Sequence, residues 1–468
     1  MITWMLFFAA FWLMMIALFS YRSFKKANTA DEYIFAGSNI GVFIGLLTFA
    51  ATLFSTFTFM GMPDFFRIHG VGAWIFLAIS DGVMFFFIIW FGNKIRTRCQ
   101  AERYNGVSGL ISSCYRSKWS GYVFFTGAFI FLVPYVSIQI RGISIFFNAI
   151  FPDLLPAWGW SAAIVIIMLL YSELGGLRAI IYSDAMQAVI LLSIIWVIAI
   201  VCINKAGGLA AMFDQIRQSN PGLLSVPGPK GLFTFQFLLA SLIAIVMMPV
   251  TQPQITTRIM IMKNRNKMNR MAVSMGVFTF LIILATAFIG MYGGIKYVNS
   301  ATSDFLSNVL LFEQLDAIAA LVVIGLLAAA ISTADSQIFA LGTELRSLLK
   351  GDEKKIMVTT RLAIIFFGLC ALVFSLISGD QLVLLARVSF AGTAIMAPMV
   401  LAGILLKKSP GREVVIVTVM GLILFIASLT DIIPSTILNL RVDLFVFFNV
   451  TLVTLLSSYI RSRMDLVK

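Results

Sequence analysis

Ser332, Thr333, Asp335 and Ser336 interrupt an otherwise apolar stretch, AALVVIGLLAAAISTADSQIFAL, that runs from Ala319 to Leu341. On a helix, Ser332, Asp335 and Ser336 stand at i, i+3 and i+4, so three oxygen-bearing side chains share one face. A carboxylate is costly at membrane depth, and a face of this kind belongs against a cavity or an ion. A seam of small residues whose hydroxyls bond back to the i−4 carbonyls would account for the serines, but it gives no reason for Asp335. Asp184 opens a second apolar run, AMQAVILLSIIWVIAIV. As a carboxylate at a helix N-terminus it could serve as a cap, or it could meet Asp335 across a helix interface. Two close carboxylates repel unless a proton or a cation lies between them. A hard cation held by carboxylate, hydroxyl and carbonyl oxygens is the simplest resolution, and a proton relay is the alternative.

Further polar groups gather where helices are expected to break. Thr52, Ser55, Thr56 and Thr58 sit in GVFIGLLTFAATLFSTFTFMGMP, flanked by glycines and Pro63, and Pro249, Gln252, Pro253 and Gln254 sit together in MMPVTQPQ. Proline withholds a backbone donor and frees carbonyls. Broken helices near the midplane are how many secondary transporters build ion and substrate sites. In LVPYVSIQIRG, Tyr135 and Gln139 share a helix face and could orient a polar solute, while Arg141 could pair with an anion or reach back to the interface. Asp81, Arg387, Arg441 and Asp443 complete the ionisable residues within or at the mouths of apolar runs.

The elements that must position these residues follow from composition. Of 468 residues, 60% are hydrophobic and 12% charged, in apolar runs of about 20 residues repeated along the chain, so a polytopic all-α membrane protein is expected. Thirteen spans are expected, at about 3–21, 38–62, 70–93, 119–149, 157–173, 183–203, 232–252, 270–295, 312–345, 358–377, 382–406, 413–430 and 437–460. The start of the chain reads as a first span and not as a removed signal peptide. Cys99, Cys114, Cys202 and Cys370 have no metal spacing and read as free thiols. The whole of 1–468 reads as one transporter domain, without an attached soluble domain or a nucleotide-binding loop.

Basic residues set the orientation. One set of alternate loops holds Arg22 to Lys26, Lys94 to Lys118, Arg178, Arg258 to Arg270, Arg346 to Arg361, Lys407 to Arg412 and Arg461 to Lys468. The other set holds only Arg67, Lys205, Arg217, Lys230 and Lys296. The positive-inside rule then places the N-terminus outside and the C-terminus in the cytoplasm of a cell-membrane protein. The net charge of +13 therefore does not point to nucleic acid. The two irregular helices are five spans apart, which suggests an inverted repeat: spans 2–6 over 38–203 and spans 7–11 over 232–406.

Four patches in chain order, DEYIFAGSNIG, AATLFSTFTFMGMP, ELGGLRAIIYSDAMQ and AAAISTADSQ, together resemble the sodium:solute symporter family, in the branch of the proline, pantothenate and monocarboxylate symporters. The resemblance implies a leucine-transporter-type five-plus-five inverted-repeat bundle, alternating access and sodium-driven uptake. It places a sodium site on Ala51, Phe54, Ala329, Ser332 and Thr333, and a second one, found in some members, on Asp184, Ser332, Asp335 and Ser336. Substrate contacts are expected at Ser55, Thr56, Tyr135, Gln139, Gln252 and Pro253. Leu53 stands where proline carriers have an aspartate, and Ile245 and Pro249 where they have a tryptophan and a tyrosine, which argues against proline.

The expected function is sodium-coupled import of a small organic solute, a pantothenate, monocarboxylate or similar carboxylate, by a monomer in the bilayer. Amino-acid symport, proton coupling and a transporter-like sensor are the alternatives. A channel lacks a filter motif, and an enzyme has little behind it, because His69 is the only histidine.

Overall fold

Each apolar stretch is helical because a chain surrounded by hydrocarbon has to satisfy its own N–H and C=O groups. The structure, a computed structural model, describes residues 1–24, 39–101, 106–172, 176–406 and 409–464. Most of DEYIFAGSNIG and the first residues of ELGGLRAIIYSDAMQ lie outside them. A two-stranded hairpin, Thr436–Ile437 with Leu440–Arg441, accompanies the helices.

Eight of the described helices are long and apolar enough to cross a bilayer: Gly72–Cys99, Lys118–Ile150, Ile180–Lys205, Arg265–Lys296, Asp316–Leu348, Glu353–Ile377, Arg412–Leu429 and Val442–Arg461. Two bent pairs raise the number to ten, Val42–Leu53 with Phe57–His69 at 61° and Leu382–Ala394 with Ala397–Leu405 at 42°. Ile2–Met15, Ala157–Leu169 and Phe235–Val246 are apolar but shorter. The thirteen expected spans thus correspond, by length, to eight to ten spans and three shorter helices.

Local chemistry explains where helices stop. Asn264 accepts a hydrogen bond from the Lys267 N–H at 2.9 Å and starts Arg265–Lys296, and Asp352 does the same for Lys354 at 3.1 Å before Glu353–Ile377. The bend between Ala394 and Ala397 was not expected from the sequence. Pro398 lies just inside the second half, where its ring clashes with the carbonyl four residues back. Pro249 and Pro253 divide the seventh element into Phe235–Val246, Met248–Thr251 and Pro253–Met260. That element was expected to end near residue 252, with Arg258 in a cytoplasmic loop. It instead continues as a helix through Met260, and Arg258 is buried. Arg67, expected outside in a loop, is also buried, against Asp64 and the carbonyls of Tyr297 and Ser300. Arg141 is held by Asp380 at 2.9 Å, so it neither reaches freely to the interface nor waits for an anion. His69 packs on Phe65 and Phe233.

Polar ties fasten the helix ends. The Glu344 carboxylate accepts hydrogen bonds from the Val107 and Ser108 N–H groups at 2.8 and 2.5 Å, capping the Val107–Cys114 helix. Glu313, in the turn before Asp316–Leu348, accepts from Lys205 at 2.8 Å, Lys296 at 2.7 Å, Tyr292 at 2.9 Å and Tyr297. Burial opposes its ionisation, but the donors from Lys205, Lys296, Tyr297 and Tyr292 outweigh burial and hold its carboxyl down to about 2.

The Phe57–His69 half of the first broken helix lies directly on Arg265–Lys296. A Cβ at Gly290 would stand 2.4 Å from Phe66 Cβ and 2.5 Å from the Pro63 carbonyl oxygen, and backbone cannot yield there as a flexible side chain would. Gly290→Ala is expected to cost about 1–3 kcal/mol, seen as a lower melting temperature of the purified protein in detergent. Gly276→Ala on the same helix, whose Cβ would meet only Phe85 at 3.7 Å, is expected to leave melting unchanged or slightly raised.

Candidate functional site

The site grows from the break after Leu53. Phe54 takes φ −102° and ψ 113°, turning its carbonyl out of the helical direction. The Ser55 N–H, which would otherwise bond the Ala51 carbonyl, goes to Thr58 Oγ1 at 3.3 Å, and the Thr56 N–H goes to Gln139 Oε1 at 3.3 Å. The carbonyls of Ala51 and Thr52 are thereby released from the ladder. Thr333 Oγ1 donates to the Ala51 carbonyl at 3.0 Å, and Tyr135 Oη to that of Leu53 at 3.1 Å. The break therefore sits between the hydroxyl face of Asp316–Leu348 and the middle of Lys118–Ile150. The approach is close: a Cβ at Gly142 would lie 1.9 Å from Thr56 Cγ2.

Toward the other end of the broken helix, Asp184 gathers four elements. Its Oδ2 accepts from Thr48 Oγ1 at 2.7 Å and from Arg258 Nη2 at 3.1 Å, and its Oδ1 accepts from Ser332 Oγ. Arg258 also donates to Ser336 Oγ at 2.7 Å. Asp184 is 0% exposed and Arg258 2%. The sequence left a proton or a cation to separate Asp184 from Asp335. In the structure the Arg258 guanidinium stands against Asp184, and Asp335 Oδ1 is buried without a hydrogen-bond partner among the described residues.

Of the residues expected at the sodium sites, the structure brings Thr333 to Ala51 and Ser332 to Asp184, and it joins Ser336 to Asp184 through Arg258. Ala329 is buried on the same long helix. Of the expected substrate contacts, Tyr135 and Gln139 are engaged in stabilising the break, the Gln139 Nε2 donating to the Tyr135 carbonyl at 3.1 Å. Ser55 Oγ, Thr56 Oγ1 and Gln252 Nε2 are buried with no partner among the described residues. Gln252 is extended at the second break, and Pro253 begins the next short helix. Thr48 and Arg258 escaped the sequence reading. Thr48 had a signal, lying one turn before Thr52 on the same helix face.

Beside the first break lies a cavity of about 20 Å³, room for a water molecule and not for an organic solute. Phe54, Phe57, Phe76, Met248 and Phe390 form much of its wall, with Tyr135 and Asp81.

The sequence pattern of the family described as "Sodium:solute symporter family" matches residues 33–421. The chain belongs to the sodium:solute symporter family. It is a membrane transporter of the symporter class, not an enzyme. It is 23% identical over 327 residues to a sodium/pantothenate symporter of Haemophilus influenzae, covering 69% of this chain and 66% of that one. It is also 23% identical over 411 residues to the high-affinity proline transporter PutP of Bacillus subtilis, covering 84% and 85%. Among solved structures, the substrate-bound outward-open state of a Na+-coupled sialic acid symporter superposes with a TM-score of 0.75 at 16% identity, covering 97% of this chain and 96% of that one. MHP1, a nucleobase-cation-symport-1 family transporter, superposes with a TM-score of 0.61 at 12% identity, covering 92% and 94%. The symporter thus has the leucine-transporter-type fold.

Removing one partner of a buried ion pair leaves the other charge stranded. Arg258→Met is expected to destabilise the symporter by about 3–5 kcal/mol, and adding Asp184→Asn should restore part of the loss. Melting curves of the single and double variants decide this. Equal melting of the parent and Arg258→Met would show that Arg258 is not the counter-ion.

Proposed function

We propose that the chain imports a small organic solute together with sodium by alternating access, as a monomer with its N-terminus outside and its C-terminus in the cytoplasm. On this reading the three shorter helices complete thirteen spans, and 38–203 and 232–406 are the two inverted repeats. The carrying observation is the Thr333 Oγ1 contact with the Ala51 carbonyl at 3.0 Å, which sets a hydroxyl helix against released backbone oxygens. Neutral oxygens of this kind suit a hard monovalent cation. Sodium is cargo here, held by Ala51, Phe54, Ala329, Ser332 and Thr333. A second ion at Asp184, Ser332, Asp335 and Ser336 would compete with Arg258 for Asp184. Ser55, Thr56 and Gln252, whose Oγ, Oγ1 and Nε2 atoms lack partners among the described residues, contact the solute together with Pro253. Tyr135 and Gln139 shape that wall by holding the break. The solute carries a carboxylate, as pantothenate or a monocarboxylate does. An amino acid is the second reading, favoured by a carboxylate side chain on the cavity wall.

The driving force is sufficient. One net charge, moved when sodium accompanies a zwitterion or when two sodium ions accompany a monoanion, is worth about 2.3 kcal/mol down about 100 mV, roughly 50-fold accumulation; a single sodium ion with a monoanion draws on the sodium concentration gradient alone. Sodium alone is expected to raise the melting temperature of the purified protein relative to potassium. Thr333→Val and Ser332→Ala should shift the half-saturating sodium concentration upward about tenfold, the equivalent of ~1.4 kcal/mol. Proteoliposome uptake should collapse without the sodium gradient. Uptake that ignores sodium and follows a proton gradient would replace this reading with proton symport.

A further inference from the structure

Asp81 lies about a third of the way along the Gly72–Cys99 span and faces the cavity beside the first helix break. Among the described residues lining that cavity it alone carries a charge. It has no hydrogen bond or ion pair to any described residue. Of the other carboxylates deep in the bundle, Asp184 is engaged by Arg258, Asp443 by Arg387 at 2.5 Å and Glu344 by two backbone N–H groups, while Asp335, whose Oδ1 is also without a partner among the described residues, does not line this cavity. Much of the rest of the wall is aromatic. Phe57, Tyr135 and Phe390 form a mutual cluster with centroids 5.2–6.5 Å apart. The Tyr135 hydroxyl already donates to the Leu53 carbonyl.

An unpaired carboxylate in an apolar chamber is costly until a cation meets it. Ring faces attract the same kind of group, a cation, and disfavour an anion. A free carboxylate of the solute would be repelled from this wall, and a neutral polyol would find few donors or acceptors.

We infer that Asp81 and the Phe57, Tyr135 and Phe390 rings form a cation subsite, so that the transported solute carries an ammonium nitrogen on an apolar body. This rests on the symporter reading and, within it, takes the amino-acid reading over that of pantothenate or a monocarboxylate. An amino-acid zwitterion satisfies both, its ammonium at Asp81 and its carboxylate toward the unpartnered Ser55, Thr56 and Gln252 atoms. The solute enters when the lining helices separate, the motion that alternating access supplies.

The test uses matched probes on the full chain in detergent, with sodium present, and reads thermal stabilisation. One set is L-proline, pyrrolidine and cyclopentanecarboxylate; another is L-leucine, isopentylamine and 4-methylpentanoate; glycine betaine and pantothenate complete the panel. Nitrogen-bearing cations or zwitterions are expected to stabilise the protein, and the deaminated acids and pantothenate are not. Asp81→Asn should raise the half-saturating probe concentration at least about tenfold while sodium alone still stabilises it, and Asp81→Glu should restore the preference. If Asp81→Asn does not fold, Asp81→Ser repeats the measurement. The inference is overturned if only the acids bind, if no nitrogen-bearing probe binds, or if the neutral variant binds them as the parent does. A loss of the sodium-only shift in Asp81→Asn also overturns it, by making Asp81 an ion ligand. Sodium-only stabilisation of the parent and sodium-driven uptake test the symporter reading separately.

Discussion

Taking a carboxylate out of water into a helix bundle costs several kcal/mol unless nearby groups replace its hydration. Asp184 meets that cost with a guanidinium and two hydroxyls from three other elements. The consequence is geometric as much as energetic. Thr48 fixes the Val42–Leu53 half of the broken helix, Ser332 fixes the long hydroxyl helix, and Arg258 fixes the short helix after the second break. Each of these carries part of the proposed ion or solute site. The same carboxylate sets how far the Thr333 hydroxyl stands from the Ala51 carbonyl, because Ser332 and Thr333 are adjacent.

Charge balance deep in the protein is handled by such local pairings. Arg387 is held by Asp443 and by Ser241 at 2.8 Å, with its guanidinium 4.7 Å from the Phe237 ring centroid. Arg67 is held by Asp64 and two carbonyls. Against this background an engaged charge reads as architecture, and an unengaged one facing a cavity reads as recognition.

The oxygen face of Ser332, Asp335 and Ser336 was legible from spacing alone, as was the break near Ser55, because both depend on neighbours within a turn or two. The pairing of Asp184 with Ser332 was legible through the family resemblance. Arg258 was not. It follows two prolines and precedes a basic loop, so a count of charges assigned it to the cytoplasm, whereas the helix resumes after Pro253 and turns the side chain inward. Tyr135 and Gln139 were read as polar groups facing the site, but their partners are backbone atoms of the break, which only the fold brings within reach. Asp81 was visible as an intramembrane charge. Its apolar surroundings come from several separate elements, which no window of sequence displays.

The close seat of Gly290 on Pro63 and Phe66 has a mechanical corollary. It seats the Phe57–His69 half of the broken helix on Arg265–Lys296 with little slack for sliding, while the Thr48 hydroxyl ties the Val42–Leu53 half to the Gly176–Lys205 helix through Asp184. Both arms touch Arg265–Lys296, but only one is also tied to Gly176–Lys205, so the joint between them is where they can move relative to each other. That joint is Phe54 to Thr56, the segment whose backbone is out of helical register and which borders the cavity. A swing of the arms therefore deforms the proposed oxygen cradle itself, so on the sodium-symport reading ion release and that swing are one event.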